Sequence, residues 1–240
     1  MGKKRRRRNN TAWKIIGITV AAGATFALAG LALSESQLER PTNAGSVAAV
    51  PSSDAVEADS RFLMSVLSDS HAYNADSWWR QTIGTGTFPD AYLGEFEALP
   101  GAATSSLTPR IDAVTAQGGA VVVQAGTNDL LSGRTPEQTA DGLSDLWQGI
   151  RDRGAVPVAA LVPPSDEVPQ LVVELNGLIR SEAAEQGLEL IDVYTSVAQS
   201  DRTWADGESD DSRHSNAAGS AVMASAAREQ LPRIIDALDD

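Results

Sequence analysis

Apolar residues recur along this chain in two rhythms. Short β-branched runs bounded by turn residues predict strands buried on both faces, and apolar positions spaced by three and four predict amphipathic helices. The stretch Ala120–Asp129 (AVVVQAGTND) is the clearest strand, with Val121, Val122 and Val123 at its middle, Gly126 breaking the run, and Asn128 and Asp129 at its carboxyl end. Upstream, Arg61–Leu67 (RFLMSVL) predicts a first strand ending at Ser68-Asp69-Ser70-His71. Asn74–Ile83, with Trp78 and Trp79, predicts a helix closed by Gly84 and Gly86, and Ala91–Leu99 predicts a second strand before Pro100-Gly101. Thr108-Pro109 reads as a cap and first-turn proline for a short helix bearing Ile111 and Val114.

Downstream, Thr135-Pro136-Glu137-Gln138 is a capping box, and Leu143, Leu146, Trp147 and Ile150 follow it at helical spacing up to Gly154. Val156–Val162 predicts a strand stopped by Pro163-Pro164. Val168, Leu171, Val172, Leu175, Leu178 and Ile179 predict a helix ended by Gly187, and Leu188–Val193 predicts a fifth strand. After a polar loop, Thr195–Ser215, a last helix spans Asn216–Leu238, with Pro232 expected to kink or restart it. Strands alternating with helices imply a parallel sheet covered on both sides. The expectation is an α/β fold, a three-layer α/β/α sandwich with a five-stranded parallel sheet, over about residues 59–240. No Gly-x-Gly-x-x-Gly follows a strand and no Gly-x-x-x-x-Gly-Lys occurs, so the common nucleotide-binding signatures are absent.

Charge divides the chain. Seven basic residues and no acid lie in residues 1–34, leaving 12 arginines against 32 acidic residues beyond, a net of −20. So acidic a body repels polyanions, which excludes nucleic acid as its partner. The basic head, residues 1–14, runs straight into Ile15–Leu33, 19 residues without a charge. That pattern predicts a membrane anchor, or a secretory signal cleaved near Ala27-Leu28-Ala29; at about 1.5 Å per residue it spans roughly one bilayer core. Either way the body is expected outside the cytoplasm. Residues 34–58, rich in Ser, Ala, Pro and Glu, read as a linker. Cysteine is absent, which excludes disulfides and thiolate nucleophiles, and two histidines are too few for a His-rich metal site. The acids of Asp206–Asp211 lack a full calcium-loop pattern and read as a solvated loop.

A parallel sheet puts the carboxyl ends of its strands along one edge, where ligands bind in open α/β folds. Ser70, Gly101 and Asn128 follow the first three strands, and Asp211 and His214 lie in the loop before the last helix, on the same edge. A serine hydroxyl needs a base to become a nucleophile, an imidazole suits that task, and a carboxylate orients the imidazole. Ser70, His214 and Asp211 supply these groups. Backbone N–H groups at Ser70 and Gly101, with the Asn128 amide, would receive an oxyanion. Each residue also has a plainer reading: Ser70 as a helix cap, His214 as a surface residue, Asp210 as rival to Asp211. His71 reads as structural or pocket-lining, Trp78 and Trp79 as core or as a pocket wall, and Asp129 as support for the loop of Asn128.

In order and approximate spacing, Ser68-Asp69-Ser70, Gly101, Gly126-Thr127-Asn128-Asp129 and Asp211-x-x-His214, with Asn216 and Gly219 behind, resemble the SGNH (GDSL-type) hydrolases. The resemblance covers about residues 61–225. It implies a flavodoxin-like sandwich and a serine esterase that needs no metal or organic cofactor, with Ser70 as nucleophile, His214 as base, Asp211 as orienter, and Gly101 and Asn128 as oxyanion donors. Its substrate would be a small-molecule or glycan ester. The chain departs from the family at Ser68, where glycine is usual; a serine there could narrow the pocket or tilt the turn. A non-catalytic binding module on the same fold is the alternative, and the intact Ser70, Asn128, Asp211 and His214 argue against it.

Overall fold

A computed structural model describes residues 61–86 and 88–239. The basic head, the apolar run and the linker expected at residues 1–58 lie outside the described residues, among which no helix is long and apolar enough to cross a membrane.

Five strands form the sheet: β1 (Phe62–Ser68), β2 (Ala91–Ala98), β3 (Ala120–Gln124), β4 (Val156–Ala160) and β5 (Leu190–Ile191). All neighbours pair in parallel, in the order β2-β1-β3-β4-β5. This is the flavodoxin-like order, with its reversal between β1 and β3. Because side chains alternate across a strand, Val122 joins one core layer while Val121 and Val123 join the other. Trp78, Trp79, Met223, Leu231 and Ile234 cover the first face. Leu143, Trp147, Leu175 and Ile179 cover the second.

The helices, in chain order, are α1 (Ser70–Tyr73), α2 (Trp78–Gln81), α3 (Thr104–Leu107), α4 (Ile111–Val114), α5 (Thr127–Leu131), α6 (Pro136–Arg151), α7 (Pro169–Gln186) and α8 (Ala217–Asp239). The capping box of α6 forms as expected: Thr135 Oγ1 accepts from Gln138 N, and Gln138 Oε1 accepts from Thr135 N. Gly187 ends α7 in the left-handed conformation.

Several expectations are corrected. The helix expected over 74–83 is only α2, followed by a 3-10 turn at Ile83–Thr85, while a separate turn, α1, begins at Ser70. Thr108-Pro109 does not open a helix; it forms a 3-10 turn between α3 and α4. The strands expected over Val156–Val162 and Leu188–Val193 shrink to β4 and β5. Edge strand β5 has β4 alone as a partner, and past Ala160 the chain turns to offer Val162 N–H and C=O to the Asn176 side chain. Helix α8 runs through Pro232 without restarting. Pro232 is exposed, whereas Leu231, Ile234 and Ile235 are buried, so the apolar face outweighs one forfeited hydrogen bond on the solvent side. Trp78 and Trp79 are fully buried in T-shaped contact and belong to the core, not to a pocket wall.

Candidate active site

The carboxyl ends of β1 and β3 finish level, with Ser68 paired to Gln124. Both strands then turn immediately into short helices. After β1, the Asp69 carboxylate caps α1 by accepting the His71 N–H at 3.0 Å. The cap is therefore Asp69, which leaves the Ser70 hydroxyl free to face elsewhere. Ser68 is buried, and its hydroxyl donates to the Gln124 carbonyl at 2.8 Å. The serine at the usual glycine position is thus absorbed as a clamp between β1 and β3. Gln124 extends this clamp: its Oε1 accepts from Trp78 Nε1 at 2.9 Å and its Nε2 donates to the Leu161 carbonyl at 2.8 Å.

After β3, Gly126 has φ +133, and a β-carbon there would meet Leu175 Cδ2 at 2.7 Å. Only glycine fits this turn, which sets Asn128 at the edge of the sheet and Asp129 beneath it. Asp129 is fully buried; it accepts from Thr104 N and Thr104 Oγ1 and is paired with Arg134. These bonds anchor the turn that carries Asn128 to α3.

The loop before α8 brings in the remaining groups. Asp211 Oδ1 accepts the backbone N–H groups of Arg213 and His214, at 2.9 and 2.7 Å. That leaves Oδ2 for the His214 ring, whose Nδ1 lies 2.7 Å away. Ser212 takes a left-handed φ of +67, and its carbonyl accepts from Asp166 N. Gly219 gives the room for α8 to start against this loop, since a β-carbon would strike the Glu208 carbonyl. Asp210, the rival orienter, accepts from Asn216 Nδ2 instead.

His214 Nε2 lies 3.0 Å from Ser70 Oγ. Burial alone would raise the Asp211 carboxyl, but hydrogen bonds from the His214 backbone and ring and from Arg213 N–H hold it well below the usual carboxylate range. Asp211 is therefore an acceptor, which calls for a proton on His214 Nδ1 and leaves Nε2 as the ring atom that faces the Ser70 hydroxyl. Ser70, 144 residues earlier in the chain, is thereby joined to His214 and Asp211 in one line.

Gly101 and Asn128 line the same cavity of about 320 Å³ as Ser70 and His214. The Asn128 amide donates to the Ala102 carbonyl at 3.1 Å and, at a longer 3.3 Å, to Asp69 Oδ2. Burial first, and then the nearby Asp129 charge, push the Asp69 carboxyl up to about 7 against the His71 N–H that lowers it. Tyr73, 48% exposed, Asn74, Pro100 and Arg213 complete the wall, and neither Tyr73 nor Arg213 was signalled by the sequence pattern. A larger cleft of about 540 Å³, lined by residues that include Thr104, Arg134, Gln138 and Asp141, holds none of Ser70, His214 and Asp211. Chemistry, rather than size, marks the smaller cavity.

Residues 66–222 match the GDSL-like Lipase/Acylhydrolase family, about two-thirds of the chain, and the chain belongs to that family. It is accordingly an ester hydrolase of the GDSL type. Its fold is similar to that of a member of the lipolytic protein G-D-S-L family from Veillonella parvula DSM 2008 (TM-score 0.59, 20% identity, 71% of this chain and 98% of that one). It is also similar to a carbohydrate acetylesterase family member from Sinorhizobium meliloti (0.59, 14%, 73% and 99%). The psychrotrophic esterase EstA from Pseudoalteromonas sp. is a third (0.57, 15%, 73% and 99%). No curated protein matches the chain in sequence.

Proposed function

We propose that the protein is a serine esterase that removes short O-acyl groups, with Ser70 as nucleophile, His214 as base and Asp211 as its orienter. The observation that carries this reading is the unbroken line Ser70 Oγ, His214 Nε2, His214 Nδ1, Asp211 Oδ2, at 3.0 and 2.7 Å. As Ser70 Oγ bonds to the ester carbonyl carbon, its proton passes to His214 Nε2. Asp211 stabilises the imidazolium that forms. The oxyanion is received by the backbone N–H groups of Ser70 and Gly101 and by the Asn128 amide, which gives up its longer bond to Asp69. His214 then protonates the leaving alkoxide, and the acyl group remains on Ser70. Water attacks the acyl-enzyme, its proton goes to His214, and Ser70 regains that proton as the acid departs.

The basic head and uncharged run of residues 1–33 support an extracytoplasmic setting, tethered to the membrane or secreted. Cell-envelope glycan esters or exogenous small esters are the substrates that setting offers. Hydrolysis of p-nitrophenyl acetate by the full chain tests the reading. Ser70→Ala should reduce it to background, and Asn128→Ala should lower kcat by roughly 10²–10³-fold. Equal rates for wild type and Ser70→Ala would remove Ser70 as nucleophile.

A further inference from the structure

Beside the Ser70–His214 pair lies a second imidazole with no part in the reaction. His71 is buried, and its ring centroid is 5.6 Å from that of His214, tilted by 51°. Its Nε2 lies 3.1 Å from Thr127 Oγ1. His71 follows the nucleophile in α1, and Thr127 precedes Asn128 in α5. One side-chain hydrogen bond therefore ties the turn that carries Ser70 to the turn that carries Asn128.

Filling space would not require this residue. Burying an imidazole costs more than burying a leucine, and His71 Nδ1 has no hydrogen-bond partner among the described residues. What the imidazole adds is the bond to Thr127 and a rigid face toward His214. The two in-plane bonds of His214, to Asp211 and Ser70, fix its nitrogens but leave the ring free to rock about the line joining them. A ring packed beside it limits that motion. Burial first, and then the charge on His214, push the His71 imidazole down to about 3, so it places no second charge next to the imidazolium.

We propose that His71 is a positioning residue for ester hydrolysis, holding the Asn128 turn in register with Ser70 through Thr127 and limiting the tilt of His214 through its ring. This rests on the Ser70 esterase reading. The test uses the full chain and p-nitrophenyl acetate, with Ser70→Ala as background. His71→Leu, Thr127→Val and their double variant are compared with wild type. His71→Gln, whose amide reaches the Nε2 position, serves as the conservative replacement. His71→Leu should lower kcat by about ten- to a hundredfold with KM nearly unchanged. Thr127→Val should also lower kcat, and the double variant should be no slower than His71→Leu, because both remove the same bond. His71→Gln should recover most of the rate.

Wild-type kcat in His71→Leu, effects that multiply in the double variant, or His71→Gln as slow as His71→Leu would each overturn the proposal while leaving Ser70 in place. No Ser70-dependent hydrolysis in the wild type would overturn both. Circular dichroism reports whether each variant is folded. If His71→Leu is not, Thr127→Val and His71→Gln decide: wild-type kcat in Thr127→Val, or loss of activity in a folded His71→Gln, overturns the proposal.

Discussion

Asp69 and His71, one residue to either side of Ser70, are both buried, and burial moves them in opposite directions. The Asp69 carboxyl is pushed up from 3.8 to about 7, and the His71 imidazole is pushed down from 6.5 to about 3. A raised carboxyl contributes stability that is complete below 3.8 and lost as pH rises through about 7. A lowered imidazole contributes stability that is complete above 6.5 and lost as pH falls toward about 3. Between 3.8 and 6.5 the two slopes oppose one another, so together they add little net pH dependence. Removing His71 exposes the other slope. The stability of His71→Leu, relative to wild type, should fall as pH rises across that window, by about 1.4 kcal/mol per pH unit. Urea unfolding of both proteins at several pH values and constant ionic strength measures it. Parallel stability curves would mean that His71 binds its proton as readily in the folded as in the unfolded chain.

At the level of elements, the turn after β3 depends most on a single residue. An alanine at position 126 would have to keep φ at +133 and push Leu175 Cδ2 away from 2.7 Å. Strain and overpacking together should cost Gly126→Ala about 2–4 kcal/mol, read as a lower urea midpoint, and kcat should fall as Asn128 shifts with the turn. An unchanged midpoint would show that the turn has slack. Such a turn is legible in sequence because glycine after a valine run has few other uses. The long helices α6 and α7 were legible for a related reason: each carries several turns of apolar period and a capping residue. The pieces α3 and α4 span four residues each, too short to show any period. Ser70, Asn128, Asp211 and His214 stood out because each sits in a polar block beside an apolar one. The bond from His71 to Thr127, and the Gln124 clamp on Ser68, had no such signal; they pair residues 56 apart that only the β1–β3 register brings together.

Across the whole molecule, the sheet edge sets what kind of ester can be bound. Both core layers are consumed beneath the sheet edge: Trp78 and Trp79 on one face and Leu143 and Trp147 on the other are buried, away from the cavity. Among the described residues, what remains to line the cavity beside Ser70 and His214 is Tyr73, Asn74, Pro100, Gly101, Asn128 and Arg213, with no valine, leucine or isoleucine. A methylene gains about 0.8 kcal/mol only when apolar surface covers it. Along this wall a lengthening acyl chain has little beyond Tyr73 and Pro100 to lie against, and about 320 Å³ must also hold the alcohol portion. A short acyl group on a polar alcohol fits that lining better than a fatty acyl chain. In a p-nitrophenyl ester series, kcat/KM should therefore be highest for acetate, hold or fall slightly at butyrate, and drop steeply by octanoate. A rise in kcat/KM of about threefold or more for each added pair of methylenes would indicate an apolar acyl channel. Such a channel would have to open by moving Tyr73 or the Pro100-Gly101 turn, and the short-acyl reading would then be wrong even with Ser70 as nucleophile.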